Sequence, residues 1–279
     1  MRFTTASVIV GFAQVALSQG LGAILKDAIK NQEHTTLFQT LLDVGGSFID
    51  DVVGDKREGL TILVPEDDAV DDFMKKNSIT DFASFSQGDT LKTIFKYHVL
   101  ASNVSQEDYA ANLGLVVPTL LKDEKFNNRT AGSAITIKFG DDATGQVIYF
   151  SKSPIATVSK RQGGGLENAI VNIRHGVEQT AKVTVVDGTW GDNRSNKYQL
   201  VNTILVPPQP CSTTIQRPKK EDASSKLKAL DDALVKTGLY PALDTAKNVT
   251  CLAPSTDAFK KAKDPQESLG NDELTKALL

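Results

Sequence analysis

Apolar and polar positions change their period along the chain, and each change predicts an element. Leu21, Ile24, Leu25, Ala28 and Ile29 recur at helical spacing, as do Leu37, Phe38, Leu41 and Leu42. Thr35 or Thr36 stands where the second helix needs a cap, and Gly45-Gly46 ends it. Phe48, Ile49, Val52 and Val53 predict a third helix before Gly54. Each short helix has one face to bury. Leu60 to Val64 breaks the rhythm: it is apolar and partly β-branched, which suits a buried strand. Pro65 cannot continue a sheet ladder but fits the first turn of a helix. Glu66, Asp67 and Asp68 follow, where the positive end of a helix dipole favours acids, and Val70, Phe73 and Met74 give that helix its apolar face. "TILVPEDDAV" therefore predicts a switch from strand to helix.

The middle of the chain reads as β-rich. Leu91, Ile94 and Phe95 predict a helix that turns extended after His98. Ile135, Ile137 and Phe139 alternate with Thr136 and Lys138; with the turn-like "GDDATG" and then "QVIYF", this predicts a hairpin. "KVTVV" predicts a strand ending at Asp187-Gly188, and "YQLVNTILVPP" a last strand stopped by Pro207-Pro208. Gly163-Gly164-Gly165 predicts a mobile loop. Residues 209–225, rich in Pro, Ser and charge, have the composition of an interdomain linker. Beyond them Leu227, Leu230 and Leu234 begin a new helical face that Gly238 ends, and "VTCLAPSTDAFKK" repeats the strand-Pro-helix switch. Thr61 aligns with Thr250, Leu63 with Leu252, Pro65 with Pro254, Asp68 with Asp257 and Ala69 with Ala258. "DTLKTIF" from Asp89 likewise parallels "DELTKAL" from Asp272. Repetition at so long a spacing predicts duplicated domains rather than a solenoid.

These stretches resemble the fasciclin domain family. "TCLAPSTDAF" is similar to its first signature box, and "TILVPEDDAV" more loosely so. Tyr97-His98 in "FKYHVL" matches the family's Tyr-His pair. "SNKYQLVNTILVPP" matches the closing box, with Gln199 where the family has His and Asn202 where it has Asp. The resemblance covers residues 22–208 and the start of a second copy, residues 226–279. It implies an α+β fold, a fasciclin-like domain whose N-terminal helices pack on a β-sheet wedge. It also links Tyr97-His98 to adhesion through integrins or other surface partners; the alternative is that Tyr97 fills the core and His98 hydrogen-bonds inside it. The second copy stops before a second Tyr-His pair is due, and its roughly 55 residues can bury little surface alone. We expect a fragment of a longer copy; a tail folded on the first domain, or loosely ordered, are the alternatives.

Composition narrows the function. The 279 residues carry a net charge of −3, which supplies neither the basic face of a general nucleic-acid binder nor a polybasic membrane surface. Arg2, an apolar stretch from Ala6 to Leu17, and Ala16 and Ser18 fit a signal peptide over residues 1–18, with Gln19 starting the mature chain. That stretch is too short to span a bilayer, and no later apolar run is long enough. Secretion permits a Cys211–Cys251 disulfide, although a free thiol at Cys251 fits equally. It also makes the sequons at Asn103, Asn128, Asn193 and Asn248 candidate glycan sites.

Catalytic patterns are missing: there is no Gly-x-Ser-x-Gly, phosphate-binding loop, His-Glu-x-x-His or Cys-x-x-Cys. His34, His98 and His175 lie far apart, without zinc-ligand spacing, and the acids from Glu66 to Asp72 lack a calcium loop. Trp190, the only tryptophan, is either a contact anchor or a core plug. The reading that follows is a secreted, glycosylated, non-catalytic adhesion or matrix protein without a cofactor or metal. Its expected partner is a cell-surface or matrix protein or a glycan, contacted through Tyr97, His98 and Trp190, with self-association left open. The expected location is the cell surface or wall, or a vacuole-like compartment. A carrier holding a small apolar ligand or lipid between helices and sheet is the alternative, and a secreted hydrolase the third reading.

Overall fold

The computed structural model describes residues 20–278 except 46, 55–57, 87, 106, 111–113, 124–125, 127–131, 154–169, 177–178, 217–225 and 247–250. The expected signal peptide, the triple-glycine loop, Asn128, Asn248 and most of the expected linker lie outside the described residues.

Three helices come first, α1 (Leu21–Ile29), α2 (Thr36–Gly45) and α3 (Phe48–Val53), as the apolar spacing predicts. β1 (Thr61–Pro65) leads into α4 (Asp67–Lys76). Next come α5 (Phe82–Ser86), α6 (Asp89–His98) and the two-residue β2 (Val99–Leu100). β3 (Leu115–Pro118), α7 (Ser133–Phe139), β4 (Val147–Ser153), β5 (Ile170–His175), β6 (Gln179–Trp190) and β7 (Asn196–Val201) complete the first part. The strands form one sheet in the order β2-β1-β7-β6-β5-β4-β3. All neighbours are antiparallel except β1 and β7. The two ends of the sheet meet where Leu100 bridges Thr119, with Leu120 N–H donating to Val99 O at 2.8 Å. This closure shields edges that would otherwise be open to foreign strands.

β1 explains its own sequence. Ile62 and Val64 enter the core built with α1, α2, α3 and α6, while Leu63 enters a second core on the opposite face with Tyr97, Tyr109 and Phe150. A strand buried on both faces needs apolar residues at every position, not at alternate ones. Pro65 differs from expectation. It is the last residue of the strand, Glu66 is the cap and Asp67 the first helical residue.

Three further expectations are corrected. Ile135, Ile137 and Phe139 belong to a helix, α7, and not to a hairpin strand. The place beside β4 is taken by β3, with Leu115 opposite Phe150, so residues 135–139 have no partner there. Ile135 and Phe139, one turn apart, are half-buried, while Ile137 between them is 85% exposed. β6 does not stop at Asp187-Gly188 but runs on to Trp190 through register shifts between Val183 and Gly188. Such bulges let a strand continue while re-aiming its side chains. β7 ends at Val201, and residues 202–208 leave the sheet.

The remaining elements are helical: α8 (Cys211–Gln216), α9 (Lys228–Thr237), α10 (Tyr240–Thr245), α11 (Thr256–Lys261), α12 (Pro265–Ser268) and α13 (Asn271–Leu278). They share a small core of Leu230, Ala233, Leu234, Phe259 and Leu274. Gly238 ends α9 in the left-handed region, its N–H donating to Leu234 O, as the sequence predicts. Cys211 is half-buried, Cys251 exposed, and both are free thiols. Cys251–Ser255 forms no strand, and Leu252, the counterpart of the wholly buried Leu63, is 87% exposed. A strand needs a neighbour to satisfy its backbone, and the described residues offer this segment none.

The switch to helix is nonetheless the same in both copies. Glu66 (φ −69°, ψ 162°) and Ser255 (φ −70°, ψ 159°) hold equivalent cap positions one residue after proline.

Candidate functional site

Tyr97 and His98 close α6, and both point inward: Tyr97 is 0% and His98 2% exposed. The Tyr97 hydroxyl donates to Val147 O at 3.4 Å, and burial pushes its pKa well above the ordinary phenol value. His98 Nδ1 lies 2.8 Å from Ile94 O. A carbonyl only accepts, so Nδ1 carries the proton and Nε2 a lone pair. That lone pair accepts the Leu205 N–H at 3.0 Å. His175, at the end of β5, accepts the neighbouring Val206 N–H through Nδ1 at 3.2 Å. The fold thus brings together two histidines that lie 77 positions apart in the chain. They hold the extended segment that follows β7.

Each ring is held neutral by its surroundings. Burial lowers the His98 pKa to about 4; the Ile94 bond opposes this and the nearby His175 adds to it. Burial likewise lowers His175 to about 4. Gly176 follows His175 at φ +53°, and a Cβ there would lie 2.9 Å from Val206 O. Only glycine lets the chain turn this close to the held segment.

Both residues that depart from the family's closing box make hydrogen bonds in the fold. Gln199 is fully buried; its Oε1 accepts from the Tyr109 hydroxyl and its Nε2 donates to Val104 O at 2.9 Å. Asn202 Oδ1 accepts the Lys182 N–H at 2.7 Å. Trp190 is 2% exposed, and its indole N–H donates to Lys197 O at 2.9 Å, so it plugs the core. Tyr97, His98 and Trp190 therefore offer a partner almost no surface in this conformation. Of the described sequons, Asn103 and Asn193 are exposed.

Two spaces share Ile94 and Ile204 as walls, and of the two histidines only His98 lines one of them, the first. One is a small apolar cavity of about 20 Å³ lined by Phe38, Val70, Phe73, Phe95, His98 and Ile204. It has room for about one water and none for a lipid. The other is an open cleft of about 910 Å³ between α4, α6 and the segment after β7. Ile94, Ile204, Val206 and Pro207 supply apolar wall, and Asp72, Lys76, Asn77, Asp89, Thr90 and Asn202 supply charge and hydrogen-bonding groups. This cleft was not legible in the sequence, because its walls come from elements more than a hundred residues apart. Among the described residues no group of three metal-ligating side chains occurs, and no helix is long and apolar enough to cross a membrane.

With this geometry in place, comparison with known proteins gives a class. The model of the fasciclin domain matches residues 27–169, a little over half of the chain. The chain belongs to the fasciclin domain family, whose members occur in adhesion-related proteins outside the cell or at its surface and are generally non-catalytic. The match ends one residue before β5, so the three strands that complete the sheet lie beyond it. No sequence match to a curated protein was found. Among solved structures, a FAS1 domain pair from the insect cell adhesion molecule fasciclin I is similar at 15% identity. The alignment covers 91% of this chain and 69% of that chain, with a TM-score of 0.39.

Proposed function

We propose that this protein is a secreted, non-catalytic adhesion protein that binds a cell-surface, matrix or wall component through the cleft beside the histidine pair. Membership of the fasciclin family is the observation that carries the reading. The cleft supports it: it combines apolar wall with carboxylates, one lysine and neutral hydrogen-bonding groups, as surfaces that recognise partners do. The cleft replaces direct contact by Tyr97, His98 and Trp190, which act from the interior. On this reading the exposed Asn103 and Asn193 carry glycans, and residues 1–18 are removed on export.

Adhesion of cells to surfaces coated with the purified protein tests this. Thr93→Arg on α6 and Asn77→Arg just after α4, both cleft-lining positions outside the hydrophobic cores, would fill the cleft. Each should lower attachment at least severalfold while the circular dichroism spectrum stays unchanged. Attachment equal to the wild type in both variants would refute the cleft, and attachment no better than to an albumin coat would refute the adhesive function. For the export reading, mass spectrometry of secreted protein should give an N-terminus at Gln19 and glycan mass on the peptides of Asn103 and Asn193.

A further inference from the structure

Segment 204–207 has two sides with different duties. On one, Ile204, Val206 and Pro207 line the cleft. On the other, the N–H groups of Leu205 and Val206 are held by His98 Nε2 and His175 Nδ1. Leu205 is 0% exposed, and the two rings 2% each. Both rings act as acceptors, which only a neutral imidazole can do. A second proton on either ring would set a donor against a donor. His175 is already under-satisfied: with Nδ1 accepting, its proton sits on Nε2, and that atom is buried with no partner among the described residues.

We propose that His98 and His175 form an acid-operated latch on this wall of the cleft. Neutral rings hold Leu205 and Val206 in place; protonated rings release them, and the wall moves. The latch rests on the hydrogen bonds alone, whereas its effect on binding rests on the cleft being the partner surface.

The electrostatic surroundings favour release once protons arrive. Tyr97, on α6, is neutral throughout the relevant range. Among the described residues the one charged group that shifts His98 is His175 on β5, and two imidazolium rings repel. Among the described residues no carboxylate contributes to the shift of either ring; the cleft's Asp72, Asp89 and Asp123 and its Lys76 are not among their causes. Burial therefore keeps the latch closed through mildly acidic pH, and it opens as pH nears 4.

Amide hydrogen exchange on the full chain, corrected for intrinsic rates, tests the latch. Protection at Leu205 and Val206 should fall at least tenfold between pH 7 and pH 4, while that of Leu200 in β7 is retained. The variant carrying His98→Gln and His175→Asn places non-titrating acceptors near Nε2 and Nδ1, and should flatten this pH dependence. Should that variant not fold, NMR of the wild-type imidazole nitrogens gives the same answer. His98 should be the Nδ1–H tautomer at pH 7, and its protonation should coincide with amide release. Protection at 205–206 that is constant with pH, or that falls only together with Leu200, overturns the latch. Adhesion measured in parallel separates the two readings. If the amides are released and attachment is unchanged, the latch stands and the cleft fails as the partner surface.

Discussion

The Asp67 carboxylate lies 2.7 Å from the Leu37 N–H, and the Thr256 hydroxyl 3.3 Å from the Ala229 N–H. Leu37 and Ala229 are each the second residue of a ten-residue helix, α2 and α9. In both copies the first residue of the helix after the proline therefore caps the second helix before it. Alignment of the two copies shows the identity of Asp68 with Asp257 and passes over this pair, because carboxylate and hydroxyl share a role and not a letter. Thr35, a sequence candidate for the cap of α2, donates instead to Gln32 O at 3.0 Å. Asp67→Ala should cost about 1 kcal/mol in urea denaturation, the usual worth of an N-terminal cap, and Asp67→Thr should recover part of it. Asp68→Ala, at an exposed position, should change nothing measurable. Gln199 makes a larger claim. Gln199→Leu would strand the Tyr109 hydroxyl and the Val104 carbonyl in the core, at about 2–4 kcal/mol for two unsatisfied groups. Adding Tyr109→Phe should return roughly half, since only the hydroxyl is then removed from the account; no recovery would mean that the two side chains are not coupled.

Elements were legible where burial on one face sets the period. α1, α2, α3, α6 and α9 follow their apolar spacing, and β1 follows from an unbroken apolar run. The errors fall where pairing, not pattern, decides. Residues 135–139 alternate as a strand does, yet β3 already occupies the neighbouring place in the sheet. Cys251–Pro254 repeats the pattern of β1, yet nothing among the described residues plays the part of β7 beside it. Identical sequence logic thus yields a central strand once and an exposed segment once. Leu63→Asp, at a fully buried position, should cost more than 4 kcal/mol and prevent folding of the sheet domain. Leu252→Asp should leave thermal stability within about 0.5 kcal/mol of wild type, as for an ordinary surface change. A large loss from Leu252→Asp would mean that the second segment is buried in solution, against the exposure seen here.

At the scale of the molecule, the histidine pair couples the sheet's stability to protons. In an unfolded chain both imidazoles titrate near 6.5. In the fold burial lowers both to about 4, so the neutral forms are the ones the structure accepts. Between pH 6.5 and pH 4 the unfolded chain binds more protons than the folded one, and stability rises with pH across that window. The contribution is complete above pH 6.5 and is lost as pH falls towards 4. A shift of this size is worth roughly 3 kcal/mol for each ring. Trp190 makes the measurement specific: it is the only tryptophan, and it sits in the core of the sheet domain, so its fluorescence reports that domain and not the helical one. The urea midpoint followed at Trp190 should fall between pH 7 and pH 4.5, and His98→Gln should remove a large share of the slope. Glutamine can take the Leu205 N–H without titrating, so the variant separates loss of the bond from gain of the charge. A wild-type midpoint that holds steady from pH 7 to pH 4.5 would show that the rings are not held neutral by the fold. The hydrogen bonds to Leu205 and Val206 would then be incidental to its stability.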